Sequence, residues 1–288
     1  MVEMSAAGSV CLGLVAAVTW GGSDFAGGIG AKRSPALLLV VSGHVVTLGI
    51  LLVVCFMGHL PLPDEVQFLE GAFGGVEGAF ALALFYRALA MGEMGLTAAL
   101  TGLLTALVPV LFALWKEGMP KPVAVSGLLL GCLAIWLIAY SPGHTTPPKA
   151  LLLGAVSGLG FGLQLVLFKL ASEGGYASVV WALTSARIGG VAAMLAILLF
   201  FWPRVVGKGR VWAGFWWMGI LAGTLDTVGN AGYTLAAHSG RLDVAAMVSS
   251  LYPGFTILLA ALVLREKPSH RQATGMAVAL ASVVLLSL

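Results

Sequence analysis

Long apolar segments follow one another along almost the whole chain. Ten can be marked, each long enough to span a hydrocarbon layer or nearly so, and short polar stretches separate them. Their approximate bounds are Ala6–Gly28, Pro35–Met57, Gln67–Met91, Leu96–Leu114, Val123–Tyr140, Ala150–Ala171, Ser178–Trp202, Trp212–Ala237, Leu242–Leu264 and Gln272–Leu288. Only helices satisfy their own backbone hydrogen bonds in hydrocarbon, and no alternating strand pattern is evident. The sequence therefore predicts an all-α integral membrane protein with ten transmembrane helices.

Composition supports a multi-pass membrane protein surrounded by the lipid bilayer, and the inner (plasma) membrane is its expected location. Of 288 residues, 59% are hydrophobic and 9% are charged, whereas a soluble domain carries roughly 25% charged residues. The net charge of +3 is spread over the loops, so nucleic acid is not an expected partner. Cys11, Cys55 and Cys132 lie inside apolar segments at spacings that fit no metal site, and disulfides are not expected there.

The two sides of a polar stretch rich in Pro and Gly, residues 141–149, resemble each other. Gly13, Trp20 and Gly21 have the same spacing as Gly154, Phe161 and Gly162. This indicates a first repeat over residues 1–140, a hinge loop over 141–149 and a second repeat over 150–288. Each repeat holds five segments, an odd number, so the second must begin on the opposite membrane face. Two inverted five-helix repeats place a substrate path at their interface.

Three stretches resemble the EamA branch of the drug/metabolite transporter superfamily: Trp20–Gly28, Tyr86–Ala90 and Ser249–Pro253. The resemblance implies ten helices, a central cavity and movement of small metabolites such as amino acids. It also implies cytoplasmic termini. Counted over alternate segment ends, Lys and Arg number ten on one side and four on the other, which favours termini outside the cytoplasm. The orientation stays open. The first repeat departs from the family pattern, since Pro109 lies closer to Glu117 than Pro253 lies to Glu266.

Three ionisable residues fall near the middle of predicted membrane segments: Glu77, Arg187 and Asp226. Such side chains are costly in a bilayer and usually face a cavity or a partner. Arg187 and Asp226 lie at matched depths from the loop between segments seven and eight, which predicts a salt bridge. The pair is interpreted either as a structural lock between helices or as part of a substrate or proton site.

Glu77 is a candidate for proton coupling or for binding a substrate ammonium group. An offset of 146 residues between segments three and eight aligns Asp226 with Phe80, one helical turn from Glu77. An offset of 143 residues aligns His44 with Arg187. The structural alternative is a link between Glu77 and His44 that does not titrate during transport.

Other polar and aromatic residues complete the predicted substrate site. The uncharged deep residues are Gln164 and Asn230, and Ser249, Tyr252 and Thr105 lie beside or opposite the prolines that interrupt segments nine and four. Trp20 and Tyr86, with Phe161 and Tyr233, are further candidates for the cavity, although aromatic residues in membrane helices are more often packing residues. Asp24 is expected to be an interfacial charge near the end of the first helix.

No catalytic signature is present, so the chain is not expected to be an enzyme. The glycines at 158–162 follow no strand, and the sequence contains no P-loop, HExxH motif or nucleophile elbow. No cofactor or metal is expected. The leading hypothesis is a secondary transporter that exports amino acids or related small solutes. A lipid-linked substrate flippase, an intramembrane enzyme and a membrane scaffold are the alternatives, and a homodimer through Gly127 and Gly131 is left open.

Overall fold

The computed structural model describes residues 6–91, 94–139, 146–206, 216–265 and 269–288, and these contain helices and no strand. Much of the predicted hinge, residues 141–145, lies outside the described residues. The helices are α1 (Ala6–Ala31), α2 (Ala36–Met57), α3 (Glu65–Met91), α4 (Met94–Lys116), α5 (Pro122–Ala139), α6 (Pro148–Ala171), α7 (Tyr176–Val206), α8 (Trp216–Ser239), α9 (Leu242–Ser249), α10 (Tyr252–Val263) and α11 (His270–Leu286).

Helix starts follow local sequence signals. Pro35 and Pro147 immediately precede α2 and α6, where a residue without an N–H removes no hydrogen bond from the helix. At the start of α11 the Ser269 hydroxyl accepts from the Gln272 backbone N–H at 3.2 Å, and the Gln272 side chain accepts from the Ser269 N–H at 2.8 Å. This reciprocal capping box satisfies two N–H groups that the helix cannot satisfy itself.

The two predicted proline breaks have different outcomes. Segment nine divides into α9 and α10 on either side of Ser250 and Leu251, just before Pro253. The prediction of a break at Pro109 is wrong, because α4 runs through it without interruption. A proline in a helix frees the carbonyl four residues earlier, here that of Thr105. That carbonyl lies against Gly162 of α6, where the lack of a side chain leaves room for it.

Seven spans among the described residues are long and apolar enough to cross a membrane, and Pro122–Ile138 is a shorter apolar helix. One of the seven is Leu242–Val263, so α9 and α10 together form a single span. Neither α8, which carries Asp226 and Asn230, nor α11, with 17 residues, is among them. A multi-pass membrane protein is thus supported, while the number of ten crossings stays a prediction.

The two halves of the chain pack against each other through equivalent pairs of helices. The first helix of each half lies against the third helix of the other, so that α1 packs on α8 and α6 packs on α3. The second helices follow the same rule, α2 on α8 and α7 on α3. Because each contact in one half has its counterpart in the other, the packing supports an architecture of two related repeats.

Close backbone contacts fix the register between these repeats. Gly43 of α2 lies directly against Gly223 of α8, and Ala186 of α7 lies in the same way against Gly75 of α3. A β-carbon on Gly75 or Gly223 would overlap the neighbouring backbone, so only glycine allows this approach. The equivalent glycines, 75 and 223, are 148 positions apart. The predicted offset of 146 is therefore corrected, and Asp226 corresponds to Gly78, the neighbour of Glu77, and not to Phe80.

The fifth helix of each half, α5 and α11, form a pair. Gly127 of α5 lies against Leu286, and its carbonyl accepts a hydrogen bond from the Ser282 hydroxyl at 2.7 Å. Gly131 lies against Met247 and Ser282. These two glycines are used within the chain, so they do not offer the dimer surface considered from the sequence.

Candidate functional site

A cavity lies at the centre of the bundle and is lined by both halves of the chain. The first half contributes Trp20, Asp24, Leu82 and Thr105. The second half contributes Phe161, Gln164, Leu165, Asp226, Asn230 and Tyr252. The cavity volume is about 30 Å³, enough for one or two water molecules. This volume is too small for a metabolite, so binding one requires the cavity to widen.

The predicted salt bridge between α7 and α8 is confirmed. Arg187 Nη2 lies 2.5 Å from Asp226 Oδ2, and both the Nε and Nη2 groups of Arg187 donate to the Thr227 hydroxyl at 3.2 and 2.8 Å. Arg187 is only 3% exposed. Its hydrogen bonds to Asp226 and Thr227 offset the cost of burying a charge at this depth.

His44 of α2 completes this charged cluster. Its Nε2 lies 3.0 Å from Arg187 Nη1. A guanidinium has donors only, so Nε2 is the acceptor and the imidazole is neutral. The suggested link between His44 and Glu77 is therefore not made in this structure. His44 and Arg187, which the offset of 143 residues aligned as equivalent positions of the two halves, are thus in direct contact and join α2 to α7.

Hydrogen bonds connect the salt bridge to the cavity wall. The Asn230 amide Nδ2 donates to Asp226 Oδ2 at 3.1 Å, and its Oδ1 accepts from the Trp20 indole N–H at 3.1 Å. Trp20 also packs edge-on against Tyr252, with ring centroids 6.2 Å apart. A continuous chain of contacts thus runs from His44 on α2 to the aromatic wall of the cavity.

Asp24 is the main residue that the sequence analysis misplaced. It was expected to be an interfacial charge, but α1 continues past Gly28 to Ala31, which moves Asp24 into the interior. It is 6% exposed and lines the cavity. The signal available in the sequence was its position one helical turn after Trp20, on the same face of α1. Leu82 and Leu165 line the cavity as well, and no pattern in the sequence distinguished them from packing residues.

Six of the ten predicted site residues line the cavity: Trp20, Thr105, Gln164, Asp226, Asn230 and Tyr252. Arg187 joins it through Asp226. Tyr86 and Ser249 are buried outside the lining. The Tyr86 hydroxyl lies 3.1 Å from the Ser23 hydroxyl of α1, and Ser249 packs near Gly13.

Glu77 lies on a side of α3 that does not line the central cavity. It shares a helix face with Phe73 and Phe80, which are exposed at 58% and 44%, and its carboxylate lies against Gly160 of α6. The Oε2 atom is buried and has no hydrogen-bond partner among the described residues. This carboxyl therefore sits at the outer edge of the α3–α6 contact, away from the central cavity.

A second polar cluster joins the halves at one end of the bundle. Arg241 Nη2 donates to the Gly118 carbonyl at 2.8 Å and to Asp243 Oδ2 at 3.0 Å, and the Leu242 N–H lies 3.4 Å from both carboxylate oxygens of Glu117. We call these five residues the Arg241 latch. The hydrogen bonds with Asp243 raise the pKa of the Arg241 guanidinium above its ordinary value. The Arg241 guanidinium therefore stays charged at any physiological pH.

The described residues bring together no group of three or more His, Cys, Asp and Glu side chains that could hold a metal ion. What the cavity offers is one carboxyl from α1, a salt-bridged carboxylate from α8, two amides and an aromatic wall. Such a lining can bind and orient a small polar solute, with aromatic and apolar side chains providing the contact area.

The model of the EamA-like transporter family matches residues 7–140 and again residues 148–288. The chain belongs to the EamA-like transporter family. A solved crystal structure with 19% sequence identity superposes with a TM-score of 0.72, covering 97% of this chain and 98% of its own. At that identity the superposition shows a shared fold. None of the curated proteins compared with the chain matches it significantly. Membership of the EamA-like family makes this a membrane protein of a small-solute transporter family and agrees with the expectation that it is not an enzyme.

Proposed function

We propose that this EamA-like protein is a secondary transporter that moves small organic solutes by alternating access through the central cavity. The observation that supports it is the composition of the cavity wall, to which both halves contribute. A site shared by two related halves opens to one side or the other when the halves move relative to each other. We further propose ten crossings in two inverted repeats, located in the inner membrane.

Export of amino acids or related metabolites is the finer part of this proposal. The amides of Gln164 and Asn230 and the Thr105 hydroxyl lie in the cavity lining and have the hydrogen-bonding groups that such solutes require. The cavity volume of about 30 Å³ is far below the several hundred Å³ of typical ligand pockets. Substrate entry therefore depends on the motion that alternating access provides.

A flippase for lipid-linked substrates has less support. It would require a polar groove open to the lipid. The groove described between α4, α5 and α9 has a volume of about 390 Å³ and is lined by apolar side chains, among them Leu107, Leu129 and Met247. It offers no group to bind a polar head as it crosses, and the polar residues line the central cavity instead.

A counterflow assay tests the proposal. Purified protein in liposomes preloaded with an unlabelled amino-acid mixture should accumulate labelled substrate transiently, at a rate above that of empty liposomes. The variant Asn230→Leu, which removes an amide from the cavity, should reduce this rate strongly. Ser126→Ala, on the exposed face of α5, is the matched control and should behave as wild type. Equal rates in Asn230→Leu and wild type would place the transport path elsewhere.

A further inference from the structure

Asp24 is a buried carboxyl group in the cavity wall, and the described part of the chain gives it no cationic partner. Its side chain is 6% exposed, and its Oδ2 has no hydrogen-bond partner among the described residues. The ion pairs seen in the described part of the chain are those of Arg187 and Arg241, and neither involves Asp24. A lone carboxylate in a low-dielectric interior is costly, so something absent from the chain itself must neutralise it.

The charges around the cavity do not cancel. Arg187 and Asp226 form a salt bridge and neutralise each other. His44 accepts a hydrogen bond from Arg187 and is neutral. The ionisable groups that face Asp24 from the neighbouring helices are Tyr86 of α3, Asp226 of α8 and Tyr252 of α10, none of which is a cation. Among the described residues, the groups around the cavity therefore carry one excess negative charge whenever Asp24 is ionised.

The rest of the wall matches an organic cation better than a metal ion. Trp20, Phe161 and Tyr252 surround the cavity with aromatic rings, whose faces attract cations. A hard metal ion needs several oxygen ligands, and the described residues provide no cluster of acidic, His or Cys side chains for it. An ammonium group needs one carboxylate and aromatic contact, and the cavity has both.

We infer that Asp24 is the binding group for the ammonium group of a small organic cation, and that this cation exchanges with a proton on the same carboxyl. The inference rests on the proposed transport function and specifies its substrate class. In the exchange, the O–H bond of the Asp24 carboxylic acid breaks, its proton passes to water, and the carboxylate pairs with the incoming ammonium group. Binding one cation therefore releases one proton, and the interior stays neutral in both states.

The test uses purified full-length protein in detergent and three probes of matched shape. Choline carries a quaternary ammonium, 3,3-dimethyl-1-butanol is its neutral isostere, and 3,3-dimethylbutyrate is an anion of similar size. A second set, propylamine, propanol and propionate, covers primary ammonium groups. Binding is followed by calorimetry. At least one cation should bind about 10- to 100-fold more tightly than its neutral and anionic analogues, the range expected of a charge-assisted contact.

The variant Asp24→Asn keeps the size of the side chain but removes its charge and should abolish this preference. Glu65→Gln, which removes an exposed carboxylate at the start of α3, is the matched control and should bind cations as wild type does. If Asp24→Asn does not fold, the wild-type protein still decides the question. Cation binding in weak buffer should release one proton, and affinity should rise about tenfold per pH unit while Asp24 is protonated.

Three results would overturn the inference: cations that bind no better than their isosteres, unchanged cation preference in Asp24→Asn, or binding of Na⁺ with no preference for ammonium groups. Its failure is distinguishable from failure of the proposed function. A protein that exchanges neutral or anionic solutes in the counterflow assay, yet shows no cation preference, would remain a transporter with a different substrate class.

Discussion

Arg187 of α7 donates to Asp226 of α8 at 2.5 Å, in the interior of a bundle that is otherwise largely apolar. Through Asn230 the same carboxylate reaches Trp20 in the cavity wall. The salt bridge therefore has two consequences. It ties two adjacent helices of the second half together, and it leaves Asp226 neutralised, so that Asp24 is the carboxyl still available to a ligand.

Removing one partner of this salt bridge should lower the stability of the protein more than removing both. Arg187→Met leaves Asp226 buried without its partner, which should cost about 3–5 kcal/mol of stability. In the double variant Arg187→Met/Asp226→Asn both charges are gone, and much of that loss should be recovered. Thermal unfolding in detergent measures both. A double variant less stable than Arg187→Met would contradict the interpretation.

The hydrogen bond between Trp20 and Asn230 predicts a local effect on the site. Trp20→Phe keeps an aromatic ring but leaves Asn230 Oδ1 without its donor, which should cost about 1–3 kcal/mol. It should also weaken substrate affinity, because the Asn230 amide is then held only by its hydrogen bond to Asp226. Trp136→Phe, on an exposed face of α5, is the control and should change neither property. Measured affinity and melting temperature equal to wild type in Trp20→Phe would argue against this contact.

Two glycines of α2 should respond in opposite ways to the same change. In Gly43→Ala the new methyl group meets the backbone of Gly219 and Gly223, and overpacking of this kind costs about 1–3 kcal/mol. In Gly49→Ala nothing lies within 4 Å, so stability should rise by about 0.5–1 kcal/mol as helix propensity improves. Melting temperatures of the purified variants test both signs at once.

Removing the Arg241 latch should affect exchange between conformations more than binding. Arg241→Gln loses the salt bridge to Asp243 and the contact with Gly118. We expect Arg241→Gln to change the transport rate and to leave substrate affinity unchanged. Lys121→Gln, in the neighbouring loop, is the control and should change neither. A cationic group whose pKa is raised in the folded protein loses its stabilising effect only when the pH rises through that raised pKa, which for Arg241 lies far above the physiological range. The effect of the substitution should therefore be the same from pH 5 to pH 9.

Glu77 provides a test between the sequence-based hypothesis and the structure. Because its carboxyl lies outside the cavity lining, Glu77→Gln should keep the cation preference that Asp24→Asn abolishes. Loss of transport or of its pH dependence, with normal stability, would instead give Glu77 the proton-coupling role that its depth in segment three indicated.

The fold was accessible from the sequence because it depends on features that are local or repeated. Runs of apolar residues define the helices, and the spacing of Gly13, Trp20 and Gly21 is repeated in the second half. The salt bridge was accessible because two charges at equal depth on adjacent helices have few other partners in hydrocarbon. Both kinds of argument require only distance along the chain.

Rotation about the helix axis was harder to predict. The offset of 146 aligned Asp226 with Phe80, two positions from its true counterpart, and so suggested that Asp226 and Glu77 occupy equivalent faces of their helices. The contacts of Gly75 and Gly223 align Asp226 with Gly78 instead, and the faces differ. Asp24 was missed for a different reason: the end of α1 was placed three residues too early, so Asp24 was expected nearer to the membrane surface. An error of two or three residues changes depth by only about 3–5 Å but turns a side chain by roughly 200–300°.

The packing of the first helix of each half on the third helix of the other has a consequence for biosynthesis. α1 is made first, yet the surface it packs against belongs to α8, which begins 185 residues after α1 ends at Ala31. At 5–20 residues per second, that delay is roughly 10–40 s. During this time Asp24 is in or near the membrane without α8, which carries Asp226 and Asn230 of the cavity wall. A carboxyl group in that position enters the bilayer more easily as the uncharged acid, which is the same form from which the exchange of a proton for a cation begins.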